Sequence, residues 1–127
     1  MPYAPYKGAT ILAPYNEVPH LFVVMNDPCP DGFCLLVMIT SIKPNKHYDR
    51  ACVLGPGDHP FLKHPSHVLY RMAEPVRASR IVKMVGLHYY TPKDDLDPTV
   101  FSRVADGVYA SDDTPLRIIR YAKANGV

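Results

Sequence analysis

Four imidazoles, His20, His59, His64 and His67, and two hydroxyls, Thr40 and Ser41, are the side chains of this sequence best suited to moving protons or holding a charged oxygen. Around them lie the cations Lys43, Lys46, Arg50, Lys63 and Arg71, which could neutralise phosphates. Together they suit acid–base cleavage of a phosphodiester: a base for the attacking hydroxyl, an acid for the leaving oxygen, and donors around the phosphate. Imidazoles titrate near neutrality and serve either proton role. The inventory permits this chemistry without specifying it, because each histidine taken alone also reads as a turn or surface residue hydrogen-bonded to backbone.

Other chemistries fit less well. Cys52, His59, His64 and His67 match neither the C-x2-C nor the H-E-x-x-H spacing, so no metal and no other cofactor is expected. Cys34 reads as a buried strand residue, and Cys29, between two prolines, has no identifiable base beside it. Gly55-Pro56-Gly57-Asp58 lacks the Lys-Ser/Thr of a phosphate-cradling loop. Tyr48, Tyr70, Tyr89 and Tyr90 stand near cations and could stack on unpaired bases. Tyr48, inside the basic loop, is the best placed, while Tyr70 and Tyr89 read better as core or sheet residues.

The elements that must position these groups follow from pattern. Residues 1–19 carry four prolines and read as an extended arm or edge strand. His20–Met25 is a first apolar strand ending at Asn26-Asp27-Pro28. After Asp31-Gly32 the run Phe33–Ile39 is nearly all apolar, as a strand buried on both faces would be. Ser41–Arg50 reads as an exposed basic loop and Ala51–Leu54 as a short third strand. Val76–Gly86 reads as one or two further strands. From Asp97 the pattern is helical: Asp97 caps, Pro98 starts, and Val100, Phe101, Val104 and Val108 recur at helical spacing. Thr114 and Pro115 open a second helix that Asn125-Gly126 stops.

Strands followed by helices predict an α+β domain, single over residues 1–127, with sheet over 20–90 and helices over 97–126. The expected core is Val23, Val24, Leu35, Val37, Ile39, Val53, Val68, Ile81, Phe101, Val104 and Ile119. A net charge of +2 is too small to announce nucleic-acid binding by itself, and the longest apolar run is far below the ~20 residues of a membrane helix. The N-terminus lacks the pattern of a signal peptide, and three cysteines suit a reducing compartment, so a cytoplasmic protein without membrane association is expected.

The stretch PHLFVVMND, a turn, and GFCLLVMITS resembles the MazF/PemK-like toxin family (the Kid/CcdB-type barrel). HVLYRMAEPVRASRIV resembles the family's later strand pair, and LDPTVFSRVADGVYASDD its C-terminal helix, so the likeness spans about residues 18–110. The resemblance implies a small SH3-like antiparallel β-barrel with C-terminal helices. It also implies a homodimer, and a metal-independent endoribonuclease, or mRNA interferase, acting on RNA and silenced by an antitoxin protein. Thr40 matches the family's threonine. Pro19 or His20 stands where the family's arginine would be, so either His20 substitutes for it as acid or base or the activity is lost. In such a divergent member His59 and His64 would transfer protons. Thr40, with Lys63 or Arg71, would stabilise the phosphate, and Lys43, Lys46, Tyr48 and Arg50 would complete the RNA contacts.

A second reading is a non-enzymatic small barrel of a phage or mobile element that binds a protein or nucleic acid through its arm and histidine loop. The two differ in whether the histidines converge on one concave site with a cation.

Overall fold

A computed structural model describes residues 2–127; Met1, the first residue of the expected arm, lies outside them. The strands are β1 (Thr10–Tyr15), β2 (Val18–Val24), β3 (Phe33–Ser41), β4 (Val53–Leu54), β5 (Ser66–Val68), β6 (Glu74–Arg77) and β7 (Thr91–Lys93). The helices are α1 (Ala78–Gly86), α2 (Pro98–Ala110) and α3 (Leu116–Ala124). The strands form one antiparallel sheet in the order β4-β5-β3-β2-β1-β7, with β6 also pairing β3.

Residue alternation along β2 and β3 sorts side chains onto two faces. Leu21, Val23, Leu35, Val37 and Ile39 turn toward Val100, Phe101, Val104 and Val108 of α2 and Ile118 and Ala122 of α3. Val24, Cys34 and Leu36 turn the other way, toward Ile81 of α1. Both faces of β3 are therefore dry, which is why its sequence is an unbroken apolar run rather than an alternating one.

Of the segment expected as an arm or edge strand, residues 2–9 with Pro2 and Pro5 carry no regular structure, whereas Pro14 lies in β1 and Pro19 in β2. Tyr15 pairs with Val18 around the two-residue turn Asn16-Glu17, whose φ angles of 50° and 66° lie in the left-handed region that lets so short a turn match the right-handed twist of the strands. The pair closing a two-residue turn is the hydrogen-bonded one, so the next pair, Pro14 opposite Pro19, is not. Both prolines thus sit where no N–H is needed.

β5 and β6 run along one edge of β3 as a single interrupted strand. Ser66–Val68 pair with Ile39–Ser41, and Glu74–Arg77 pair with Phe33–Leu36. Between them Leu69–Ala73 bulges out through a 3-10 turn at Tyr70–Met72, which drives Tyr70 into the core beneath α2. There the Tyr70 hydroxyl donates to the Val104 carbonyl at 2.7 Å. Gly107, one turn further along α2, leaves the space: a Cβ there would overlap the Tyr70 hydroxyl.

Several expectations are corrected. The sheet is open, since β4 and β7 are its two ends and do not pair, so the SH3-like barrel is overturned, and with it the MazF/PemK-like assignment that rested on it. An antiparallel sheet followed by C-terminal helices remains. Val76–Gly86 is the end of β6 and then helix: Ala78, Ile81 and Val85, at helical spacing, pack on the sheet while Arg77, Arg80 and Lys83 stay in water. Val53 is 41% exposed, and α3 buries Ile118 rather than Ile119, because Ile118 and Ala122 form the face that meets the core. Asp97 does cap α2, accepting from the Thr99 N–H at 2.9 Å, whereas α3 has Pro115 at its N-cap and no side-chain cap.

The Tyr70–Gly107 contact makes a direct prediction. Gly107→Ala should lower unfolding stability by about 1–3 kcal/mol in urea titration, overpacking outweighing the helical gain of alanine. Gly86→Ala, where a Cβ meets nothing, should be neutral or slightly stabilising. Equal effects at the two positions would mean that Tyr70 does not occupy that space.

Candidate functional site

The loop after β3 is the basic segment Ile42–Arg50, and it folds back against β5 and the C-terminal end of α2. Two contacts fix its end. Asp49 is buried, with its carboxylate accepting from the Ser111 hydroxyl at 2.5 Å and from the Ala51 N–H at 2.9 Å. Ser111 is the C-cap of α2, so helix and loop are joined by a short, charge-assisted hydrogen bond. This anchor presents the adjacent Tyr48 to the surface, where Arg50 lies 4.4 Å over its ring and donates to its hydroxyl at 2.9 Å.

On one side of Tyr48 is a hollow of about 300 Å³. Thr40 and Ser41 form its sheet wall, and Lys43, Lys46 and Arg71 supply its charge. His67 closes it from β5, where it pairs with Thr40, and its ring centre lies 5.5 Å from that of Tyr48. Lys43, Lys46 and Arg71 have no ion pair among the described residues, so their charge is available to a ligand. A second hollow of about 310 Å³ shares Tyr48 and Asp49 with the first and adds Arg50, Ser111 and Asp112; Asp113 borders both. The two adjoin as one groove around Tyr48, sharing His47, Tyr48, Asp49 and Asp113, so cations and carboxylates line both parts.

His67 is 6% exposed and its Nδ1 is buried without a hydrogen-bond partner. Burial disfavours its imidazolium and holds its pKa below the ordinary 6.5, with Arg71 pushing the same way, against the opposing pull of the Asp49 carboxylate and the backbone at Val68. A neutral imidazole therefore lines the groove near physiological pH.

Six of the residues expected from sequence, Thr40, Lys43, Lys46, Tyr48, Arg50 and Arg71, meet along this groove. The others do not. Lys63, His59 and His64 border a separate hollow of about 530 Å³ with Phe61 and Lys93. His59 is 3% exposed there and committed to structure. Its Nδ1 accepts from the Phe61 N–H at 3.0 Å, so Nε2 carries the proton and donates to the Asp94 carbonyl at 2.7 Å. Thr10 donates to the same carbonyl at 2.6 Å. His20 lies in β2, opposite Ala13, with its ring 6.4 Å from that of Tyr15 and in neither hollow. Sequence reasoning names His67 among the imidazoles but gives it no role, and it does not single out Asp49, Ser111, Asp112 or Asp113, whose approach to Tyr48 depends on how α2 is seated.

The toxin and endoribonuclease reading is accordingly overturned, together with the hydrolase and mRNA interferase descriptions. The barrel it required is absent, and the four residues expected to perform catalysis, His20, Thr40, His59 and His64, are divided among three places. Among the described residues no group of three or more His, Cys, Asp or Glu is placed to hold a metal ion, and no helix is long and apolar enough to cross a membrane. No protein-family model and no curated protein sequence matches the chain.

The buried imidazole links stability to pH. His67 binds its proton more weakly folded than unfolded. As the pH falls through the ordinary 6.5 the unfolded chain takes up a proton that the native state does not, and stability drops until the lower native pKa is passed. Thermal melts between about pH 7 and pH 5 should thus show a shallower decline for His67→Gln than for the wild type. Parallel declines would remove His67 as the source.

The three thiols make a second prediction. Tyr121 beside its sulfur, with the backbone at Phe33, holds the Cys29 thiol below its ordinary pKa, whereas burial pushes Cys34 up to about 11 and raises Cys52. Cys29 is also the one of the three that is partly exposed. A thiol reagent at neutral pH should label one cysteine in the native protein and three in urea, and peptide mapping should place the native label on Cys29.

Proposed function

We propose that the groove around Tyr48 binds single-stranded RNA without cleaving it. The observation that carries this reading is the convergence of unpaired Lys43, Lys46 and Arg71 with the hydroxyls of Thr40 and Ser41 beside the Arg50–Tyr48 pair. Unpaired bases stack on aromatic rings and on guanidinium planes, and the phosphates between them are neutralised by flanking lysines and arginines. Thr40 and Ser41 add donors that suit phosphate oxygens or a ribose hydroxyl. A duplex, whose bases are already stacked, would gain only the phosphate contacts. The reading is completed by a reducing, cytoplasmic setting, where Cys29, Cys34 and Cys52 remain thiols, as they are here.

Catalysis has no part in this proposal. A strand-cleaving site needs an acid and a base on opposite sides of the scissile phosphate. The groove has the buried neutral His67 and the exposed His47, but no carboxylate is paired to either to set a proton-transfer role.

Fluorescence anisotropy with a labelled RNA oligomer tests the proposal. Binding should weaken as salt rises, with a slope that reports the number of phosphates neutralised, and Lys43→Ala/Lys46→Ala should lower affinity by about tenfold at low salt and flatten that slope. A matched duplex should bind more weakly than the single strand. No binding, or binding that the double variant leaves intact, would overturn the proposal.

A further inference from the structure

The outer face of α1 is a second charged surface, and none of its residues lines either hollow of the groove. From its unpaired cations and the exposed apolar turn that ends the helix, we infer that this face docks on the anionic surface of a lipid bilayer. Leu87 and Tyr89 enter the headgroup layer, and Arg80 and Lys83 meet the lipid phosphates and carboxylates. The inference stands apart from the RNA reading.

The argument begins with charge. Between Glu74 and Asp94 the chain has no acidic residue but four cations, Arg77, Arg80, Lys83 and Lys93, whereas elsewhere ten cations are outnumbered by twelve carboxylates. The positive charge of the protein is thus concentrated in one segment. Arg77 lies at the N-cap of α1 with its guanidinium 4.7 Å over the Phe33 ring, and Arg80 and Lys83 follow within the helix. Arg80 and Lys83 are exposed, and no ion pair among the described residues involves any of the three.

Geometry places apolar groups on the same stripe. Ile81 is buried, and with Ala78 and Val85 it fixes the inner face of α1 on Val24, Cys34 and Leu36 of the sheet. Arg80, Lys83 and Leu87, three and seven residues apart, therefore run along the outer side. Leu87 is 53% exposed and Tyr89 62%. The turn that carries them is a Schellman closure: the His88 N–H donates to the Val85 carbonyl at 3.0 Å and the Tyr89 N–H to the Met84 carbonyl at 2.9 Å, with His88 at φ 64°. Leu87 donates to the Lys83 carbonyl at 3.0 Å. Three carbonyls of the last turn are thus already satisfied, so the tip can leave water without stranding them.

A bilayer surface offers both layers that this stripe calls for. Anionic headgroups lie outermost and apolar chains begin a few ångströms below, so a helix lying in that plane keeps its cations at the headgroups while an aliphatic side chain sinks beneath them. The long stems of arginine and lysine accommodate the difference in depth. Tyrosine is among the residues enriched at this boundary. Nucleic acid fits the stripe less well, because it rewards flat partners for its bases and Leu87 has no ring to stack.

Co-sedimentation of the full chain with phosphatidylcholine vesicles, with or without about 30% phosphatidylserine, tests the inference. The protein should pellet with the anionic vesicles, hardly at all with the neutral ones, and less as salt rises. Arg80→Ala/Lys83→Ala should weaken that binding by about thirtyfold, as expected for two cations at an anionic surface. Leu87→Ser/Tyr89→Ser should weaken it at every salt concentration and leave the salt dependence in place. All four side chains are exposed, so unchanged melting temperatures should show that both variants fold. Absence of binding, equal binding to neutral and anionic vesicles, or binding that both variants retain would overturn the inference. So would loss of RNA affinity in Arg80→Ala/Lys83→Ala with vesicles left unbound by the wild type, which would give this face to nucleic acid.

Discussion

The position of Tyr70 beneath α2 is the constraint from which the rest of the molecule follows. The pairing along β3 breaks between β5 and β6, and the 3-10 turn at Tyr70–Met72 turns the ring inward. The hydroxyl then needs an acceptor in a dry place and takes the Val104 carbonyl, which requires the missing side chain at Gly107. Burial raises the phenol's pKa, which keeps the group protonated and able to donate. Seating α2 in this way sets where its C-terminus ends. Ser111 is thereby brought to Asp49, and Asp49 fixes the loop that carries Tyr48 and Arg50. The groove is thus positioned by a core contact directly beneath it, since Leu69 and Arg71 on either side of Tyr70 line its wall.

The same economy explains why the sheet stays open. Strand pairing ends at β4 and β7, but the gap between them is crossed by the Gly55–Leu62 segment rather than by a ladder. His59 is the tie: its imidazole joins Phe61 in its own loop to Asp94 at the far edge. Arg103 does comparable work at the other edge, donating to the Val53 carbonyl at 2.7 Å and pairing with Asp58. An exposed backbone acceptor on β4 is thereby covered. On β7 the edge is carried by Pro92 and Lys93, residues that discourage a further strand from adding. A histidine whose two nitrogens both face backbone groups cannot be told from a catalytic one by sequence, because the distinction lies in the partners, and these are 2 and 35 residues away.

What could be read from sequence was what depends on neighbours in the chain. Phe33–Ile39 declares a strand buried on both sides, and Asp97-Pro98 declares a helix start, because apolar runs and caps act locally. The basic loop and Tyr48 could be singled out for the same reason. The Ala78–Gly86 helix was missed although Ala78, Ile81 and Val85 keep helical spacing, since Val76, Ile81 and Val82 among cations also suit a strand and no side chain caps its start. The error at α3 was one residue of phase, enough to exchange Ile118 for Ile119. The barrel was a larger error of the same origin: short segments that resembled strands of a closed sheet said nothing about whether the last edges would meet. The places of His67 and Asp112 in the groove were illegible in principle, because one is set by burial and the other by the seating of a helix.

A net charge of only +2 bears on the binding proposed above. The long-range field of the whole molecule is weak, and at physiological ionic strength charges separated by more than ~8 Å are largely screened from one another. A polyanion is therefore not drawn to this protein from a distance, as it would be to a strongly basic domain, and affinity must come from groups in contact. In the proposed binding mode the contacts are those of Lys43, Lys46 and Arg71, while Asp49 and Asp113 border the same hollow and reduce its attraction for phosphate. A neutral His67 adds no charge to that balance, whereas an imidazolium there would add attraction for any phosphate.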